Sequence, residues 1–254
     1  MQKDISQFVS ACIDFIRGIE IKSPADGFRY SVIVPGAKYS PWLNHDVFVA
    51  AHMAIKANTI VDVYRCYELW KLVEQCARLG GDILEVGVWR GGTGCLMALK
   101  SKLMGSHSRV FLCDTFSGVV KAGEMDSTYS GGEHDNTSVD IVVKAKEALA
   151  LDNVEILVGV FPDETAGRVG DAVFSLCHID VDVYDSARDV LEWVWPRLQV
   201  GGAVVFDDYG FVETDGVTRL VNELTGVPSA LIIHNLNGHA VMVKTAAATS
   251  LLPR

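Results

Sequence analysis

From Asp82 onward the chain alternates between short apolar segments and amphipathic ones, and this alternation limits the fold more than any other feature. DILEVGV, RVFLCDTF, VEILVGV, FSLCHIDVDVY and GGAVVFDDY read as strands. Between them, GGTGCLMALKSKLMG, SVDIVVKAKEALAL, SARDVLEWVWPRL and GVTRLVNELTG read as helices. Strands separated by helices build a mostly parallel sheet covered on both faces. The last segment, SALIIHNLNGHAVMVK, turns at Asn237-Gly238 and is expected to close as an antiparallel hairpin. Such a hairpin is unusual for a nucleotide-binding dehydrogenase.

Residues 1–80 are expected to form a helical and lid extension packed on a core of residues 81–254. MQKDISQFVSACIDFIRGIE has its apolar run broken by Asp14, Arg17 and Glu20, which fits an amphipathic helix and not a signal peptide. KSPADGFRYSVIVPGAKYSPWLNHD has no sustained period and reads as an ordered loop or a short strand pair. Helical spacing of Tyr64, Leu69, Leu72, Val73 and Cys76 follows, ending at Gly80-Gly81, a C-cap signal. No run approaches the ~18 apolar residues of a membrane span. The 22 Lys and Arg against 32 Asp and Glu leave a net charge of −10, which argues against nucleic acid as a partner. Six scattered cysteines without a C-x-x-C pair read as reduced thiols of a cytoplasmic protein.

Three groups of residues carry chemistry. The first is the glycine-rich turn ILEVGVWRGGTG, where a ligand can approach backbone N–H groups at a helix start. Trp89 stands where a dinucleotide pyrophosphate needs glycine, so NAD is disfavoured. Glu85 would repel a phosphate but suits a cationic amino-acid group. The second is Asp114, at the end of the next strand, where a carboxylate can accept both hydrogens of a ribose diol.

The third is a set of aspartates that a strand should avoid. Alternation places His178, Asp180 and Asp182 on one face of their strand, and the next strand ends in Asp207-Asp208. If the two strands are neighbours, up to four carboxylates meet at one rim. Their repulsion calls for a cation, and hard oxygen ligands without a Cys/His cluster specify Mg²⁺ or a similar ion. Helix capping would account for Asp185 and Asp208 but not for Asp180 and Asp182. The Gly-, Ser- and Asp-rich connection 117–138 is long enough to be a lid, with His134 and Asp135 expected to face solvent. His234 and His239, flanking the hairpin turn, read as structural.

Taken together, ILEVGVWRGGTG, DTFSG, CHIDVDVYDS, GGAVVFDDYG and the preceding VIVPGAKYSPW resemble the macrocin-type (TylF-like) sugar O-methyltransferases of antibiotic biosynthesis. The resemblance runs over roughly residues 30 to 245, in the same order. It implies a class I methyltransferase (Rossmann-like) fold with a seven-stranded sheet, S-adenosylmethionine as methyl donor and Mg²⁺. By motif, Asp180, Asp207 and Asp208 would hold the metal and Asp182 would be the general base. Glu85, Gly87, Arg90, Gly91 and Asp114 would line the cofactor site, with Thr59 near the cofactor carboxylate. The acceptor would be a small-molecule glycoside; no nucleic acid or membrane is implied, and a homo-oligomer is allowed. A sugar hydroxyl is a poor nucleophile and an aspartate of pKa ~4 a poor base for it, a mismatch that a divalent cation removes by acidifying the hydroxyl. The same residues would also suit a catechol acceptor, a metal-dependent hydrolase, or a binding module without turnover.

Overall fold

The computed structural model describes residues 2–22, 29–31, 40–247 and 251. Most of VIVPGAKYSPW (residues 32–39) lies outside the described residues. Two compact units are present, Met1–His45 and Asp46–Arg254. The first contains helix α1 (Gln2–Arg17), as its amphipathic spacing predicts, and an antiparallel pair of short strands, β1 (Glu20–Lys22) and β2 (Arg29–Ser31). A 3-10 turn at Pro41–Asn44 ends it.

The second unit begins with α2 (Asp46–Ile55) and α3 (Val63–Cys76), so its boundary falls at Asp46 and not at Gly81. The reason is burial: α3 sinks Cys66, Leu69, Trp70, Val73 and Cys76 against α4 (Gly92–Leu103) and the sheet. The helical run read from the sequence is interrupted between the two helices. Asp62 caps α3, its Oδ1 accepting the N–H groups of Tyr64 at 2.8 Å and Arg65 at 3.1 Å.

The remaining elements follow the expected alternation. They are β3 (Asp82–Val86), β4 (Val110–Asp114), α5 (Val139–Ala148), β5 (Val154–Val158), the short α6 (Ala166–Val169) and β6 (Phe174–Ile179). Then come α7 (Tyr184–Val194), β7 (Leu198–Phe206), α8 (Asp215–Glu223), β8 (Ala230–Asn235) and β9 (His239–Lys244). The seven strands are ordered β5-β4-β3-β6-β7-β9-β8. All neighbours from β5 to β7 are parallel, and β9 enters antiparallel between β7 and β8. Every residue of β6 is buried, because helices cover both faces of the sheet centre. The chain proceeds outward from β3 on one side and resumes at β6 on the other, so a crevice opens at the carboxyl ends of these two strands.

Candidate active site

A cleft with about 870 Å³ of empty volume occupies that crevice. Thr59, Gly87, Asp114, Asp180, Asp182 and His134 are among its lining residues. Val119, Val120, Val160 and Phe161 add an apolar wall. Glu85, Arg90 and Gly91, expected on the cofactor side, do not line it.

The glycines of the turn admit the protein's own chain. At Gly87 (φ +88°) a Cβ would stand 1.6 Å from the carbonyl oxygen of Asp180, so the ends of β3 and β6 can touch only with glycine there. At Gly91 (φ +84°) a Cβ would press on Val142 of α5 at 2.9 Å. Glu85 is fully buried, its Oε1 2.9 Å from His178 Nδ1, and its Oε2 has no hydrogen-bond partner. Arg90 stacks over Trp89 at 5.2 Å, and its carbonyl accepts from Asn58 Nδ2 at 3.1 Å. That bond ties the turn to the segment carrying Thr59.

Asp114 lines the cleft but is already engaged. Its Oδ2 accepts the N–H groups of Val88 (2.7 Å) and Trp89 (2.8 Å), and Oδ1 accepts that of Phe116 (2.6 Å). The carboxylate therefore fixes the turn, and only its remaining lone pairs are left for a ligand.

The acids converge, though not by strand alternation. Strand β6 stops at Ile179, which pairs in register with Phe206 of β7, so Asp180 and Asp207 leave adjacent strands side by side. Beyond that point Asp182 adopts φ +68°, and Val183 N–H closes a tight turn on Val181 O at 2.8 Å. Asp182 is thus brought round by a turn, with its own N–H donating to Asp208 Oδ2 at 3.0 Å. Oxygens of Asp180, Asp207 and Asp208 lie within 4.8 Å of one another. Asp185 does not cap α7; it forms an ion pair with Arg188 at 2.7 Å.

Asp207 is the anchored member. Arg65 Nη1 donates to its Oδ2, while Oδ1 faces His239 Nε2 at 2.7 Å and His178 Nε2 at 3.4 Å. His239 in turn meets Glu68 at 2.6 Å. Burial opposes the charge on Asp207, but hydrogen bonds from the two imidazoles and the charges of His239 and Arg65 hold its carboxyl well below the usual range. For His178, burial also opposes the charge, yet bonds to Asp207 and Glu85 push its pKa up to about 10. Asp180 and Asp208 respond the other way. Burial and then neighbouring acids (Asp207 and Asp208 for Asp180, Asp182 and Asp207 for Asp208) raise both well above the ordinary carboxyl value. Burial likewise raises Asp182, against the opposing influence of His134 and Tyr129.

Several of these residues gave no sequence signal. Arg65 sits in the first turn of α3 and Glu68 one turn later, both outside the motifs read from the sequence. His239, read as structural, is fully buried against Asp207, and His134, expected in solvent, lines the cleft. Only a topology placing β9 beside β7 could have pointed to His239.

This fold, with its cleft at the β3/β6 switch point, is that of the class I methyltransferases. It resembles the solved structures of the O-methyltransferase NovP (TM-score 0.62, 24% identity, 74% of this chain and 83% of that one) and of CalS11, a calicheamicin methyltransferase (TM-score 0.61, 18% identity, 84% and 99%). The model of the macrocin O-methyltransferase (TylF) family matches residues 45–228, and the chain belongs to that family. Among its relatives is an 8-demethyl-8-(2,3-dimethoxy-α-L-rhamnosyl)-tetracenomycin-C 4′-O-methyltransferase from Streptomyces olivaceus, 34% identical over 166 residues (60% of this chain, 63% of that protein). A mycinamicin III 3″-O-methyltransferase from Micromonospora griseorubida is 32% identical over 170 residues (60% and 65%). The matches span less than two thirds of either relative's length.

Proposed function

We propose that the chain is an S-adenosylmethionine- and Mg²⁺-dependent O-methyltransferase acting on a hydroxyl of a sugar in a glycosylated natural product. One observation carries this reading: Asp180, Asp207 and Asp208 meet beside Asp182 at the rim of the cleft. The donor set fits a hard divalent cation, being all carboxylate, with Asp207 and Asp208 buried and Asp180 half-buried. Arg65, His178 and His239 are spent on Asp207, while Asp180 and Asp208 hold charge only against burial and mutual repulsion. Bound Mg²⁺ would supply Lewis acidity to an acceptor hydroxyl.

The chain's own residues do the rest. Asp182 would accept the proton of the acceptor hydroxyl, and S-adenosylmethionine would supply the methyl group and leave as S-adenosylhomocysteine. Asp114 offers its free lone pairs to a ribose diol, and the Val119, Val160 and Phe161 wall offers a slot for a flat purine. Thr59 and Gly87 line the same cleft. The rhamnosyl group in the tetracenomycin relative's name supports a glycoside acceptor. The net charge of −10 supports a small-molecule partner and not nucleic acid. No helix among the described residues is long and apolar enough to cross a membrane, and six free cysteines support a cytoplasmic location.

Calorimetry with S-adenosylhomocysteine and NAD, followed by methyl transfer to mycinamicin III and catechol with and without EDTA, tests the reading. Binding of S-adenosylhomocysteine alone, and Mg²⁺-restored turnover of a glycoside, is expected. NAD binding without S-adenosylhomocysteine binding, or full activity in EDTA, would overturn it. Asp182→Asn should lower kcat by about 10²–10⁴ with cofactor affinity retained.

A further inference from the structure

Trp89 joins three parts of the cleft at one residue. Its backbone N–H and that of Val88 both donate to Asp114 Oδ2, at 2.8 and 2.7 Å, so the end of β4 holds the glycine turn. Its indole Nε1 donates to Asn136 Oδ1 at 2.8 Å, and its carbonyl oxygen accepts the Thr137 hydroxyl. Trp89 is itself one of the residues lining the cleft.

Asn136 and Thr137 stand at the far end of the 117–138 connection, just before α5. The near end starts from the same place. Asp114 Oδ1 accepts Phe116 N–H at 2.6 Å, and Thr115 Oγ1 donates to Gly118 O at 3.0 Å. Between the two ends, Gly118, Val119, Val120 and His134 form part of the cleft wall. Val119 N–H pairs with Glu133 O at 2.8 Å and Gly132 N–H with Val119 O at 2.9 Å, so the two limbs of the connection lie together. Asp114 therefore secures the near limb, and Trp89 ties the far limb to the same turn.

Trp89 makes these contacts at φ +46°, a left-handed backbone that glycine adopts freely and a bulky residue does not. Glycine would suit the turn better, so what the position gains from tryptophan lies in the side chain. We infer that Trp89 is a positioning residue for the cofactor: its indole N–H clasps the far end of the 117–138 connection to the glycine turn and so fixes that wall of the cleft around S-adenosylmethionine. The inference rests on the reading that the cleft takes this cofactor.

S-adenosylhomocysteine calorimetry on the full chain tests it. Trp89→Phe keeps a ring and loses the donor, and Asn136→Leu loses the acceptor. Each should weaken S-adenosylhomocysteine binding about 3–10-fold, and the double variant should bind no more weakly than either alone. Asn136→Asp, which keeps an acceptor oxygen, should bind as the unaltered chain does. Trp89→Gly relieves the backbone but removes the clasp, and should bind more weakly than Trp89→Phe. In the unaltered chain the Trp89 indole N–H, identified by its loss in Trp89→Phe, should exchange with deuterium more slowly once S-adenosylhomocysteine is bound. A contact that only supports the fold would lower the ligand-free Tm of the variants and leave affinity and indole exchange unaltered, which overturns the inference. Additive losses in the double variant, or full affinity in Trp89→Gly, overturn it as well. If the unaltered chain binds no S-adenosylhomocysteine, the cofactor reading fails first; binding that Trp89→Phe and Asn136→Leu match sinks the clasp alone.

Discussion

Asp207 and its two neighbours are chemically the same residue put to opposite uses. Asp207 is surrounded by Arg65, His178 and His239, so its charge is compensated inside the protein. Asp180 and Asp208 have burial and like charge to contend with. Removing one partner of a buried ion pair strands the other, which costs about 3–5 kcal/mol. Asp207→Asn should therefore lower the urea-unfolding free energy by roughly that amount in EDTA, whereas Asp180→Asn and Asp208→Asn should leave it unchanged or raise it. All three should lose Mg²⁺-dependent activity. Equal destabilisation by all three changes would contradict the division of labour. The sequence made the acids legible because aspartate at a strand end is conspicuous. It could not separate them, since what distinguishes Asp207 comes from Arg65, 142 positions away, and from His239, 32 positions on. The same blindness put His134 in solvent.

Strands and helices were legible as elements because their apolar periods are set by burial on both faces of the sheet. The connections between them were less so. FSLCHIDVDVY looked like one strand, yet the strand ends at Ile179 and Asp182 reaches the rim through a positive φ that β structure does not allow. Likewise the glycine turn signalled close approach correctly but not what approaches. The residues against Gly87 and Gly91 are Asp180 and Val142, and neither is near in sequence. From this follows a test at the level of elements. Gly87→Ala puts a methyl group 1.6 Å from the Asp180 carbonyl and a side chain at φ +88°, so β3 and β6 must part at the carboxyl ends that place Asp180. The variant should lose at least about 2 kcal/mol of stability, with weakened Mg²⁺ activation even where it stays folded. Crowding at Gly91 is against the Val142 side chain, which can yield, so Gly91→Ala should cost less and leave the metal response intact. Chemical denaturation and Mg²⁺ titration of both variants decide the order.

At the scale of the molecule, the buried rim acids and His178 make the metal-free protein lose stability as pH rises, and Asp207 makes it lose stability in strong acid. Asp180, Asp182 and Asp208 have folded pKa values above the ~3.9 of an unfolded aspartate. Folding must therefore pay to keep them protonated or to bury their charge, and this penalty grows as pH rises above the unfolded value. His178, at about 10 when folded against 6.5 in its ordinary state, contributes stability that is complete below 6.5 and lost as pH rises through about 10. Asp207, depressed in the fold, contributes stability present above the unfolded value and lost only as pH falls toward its folded one. The metal-free chain should thus be most stable near about pH 4, lose stability as pH rises above it, and lose more from about pH 6.5 toward pH 9 as the His178 contribution fades. Mg²⁺ binds the deprotonated acids and relieves their repulsion, so its stabilisation, about 2.7 kcal/mol at a hundredfold excess over Kd, should be larger at pH 8 than at pH 5.5. Thermal unfolding across that range, with EDTA and with MgCl₂, measures both effects. A Tm of the metal-free protein that climbs from pH 6 to pH 9, or a Mg²⁺ shift that does not change with pH, would mean that the rim acids are neutralised by some other group.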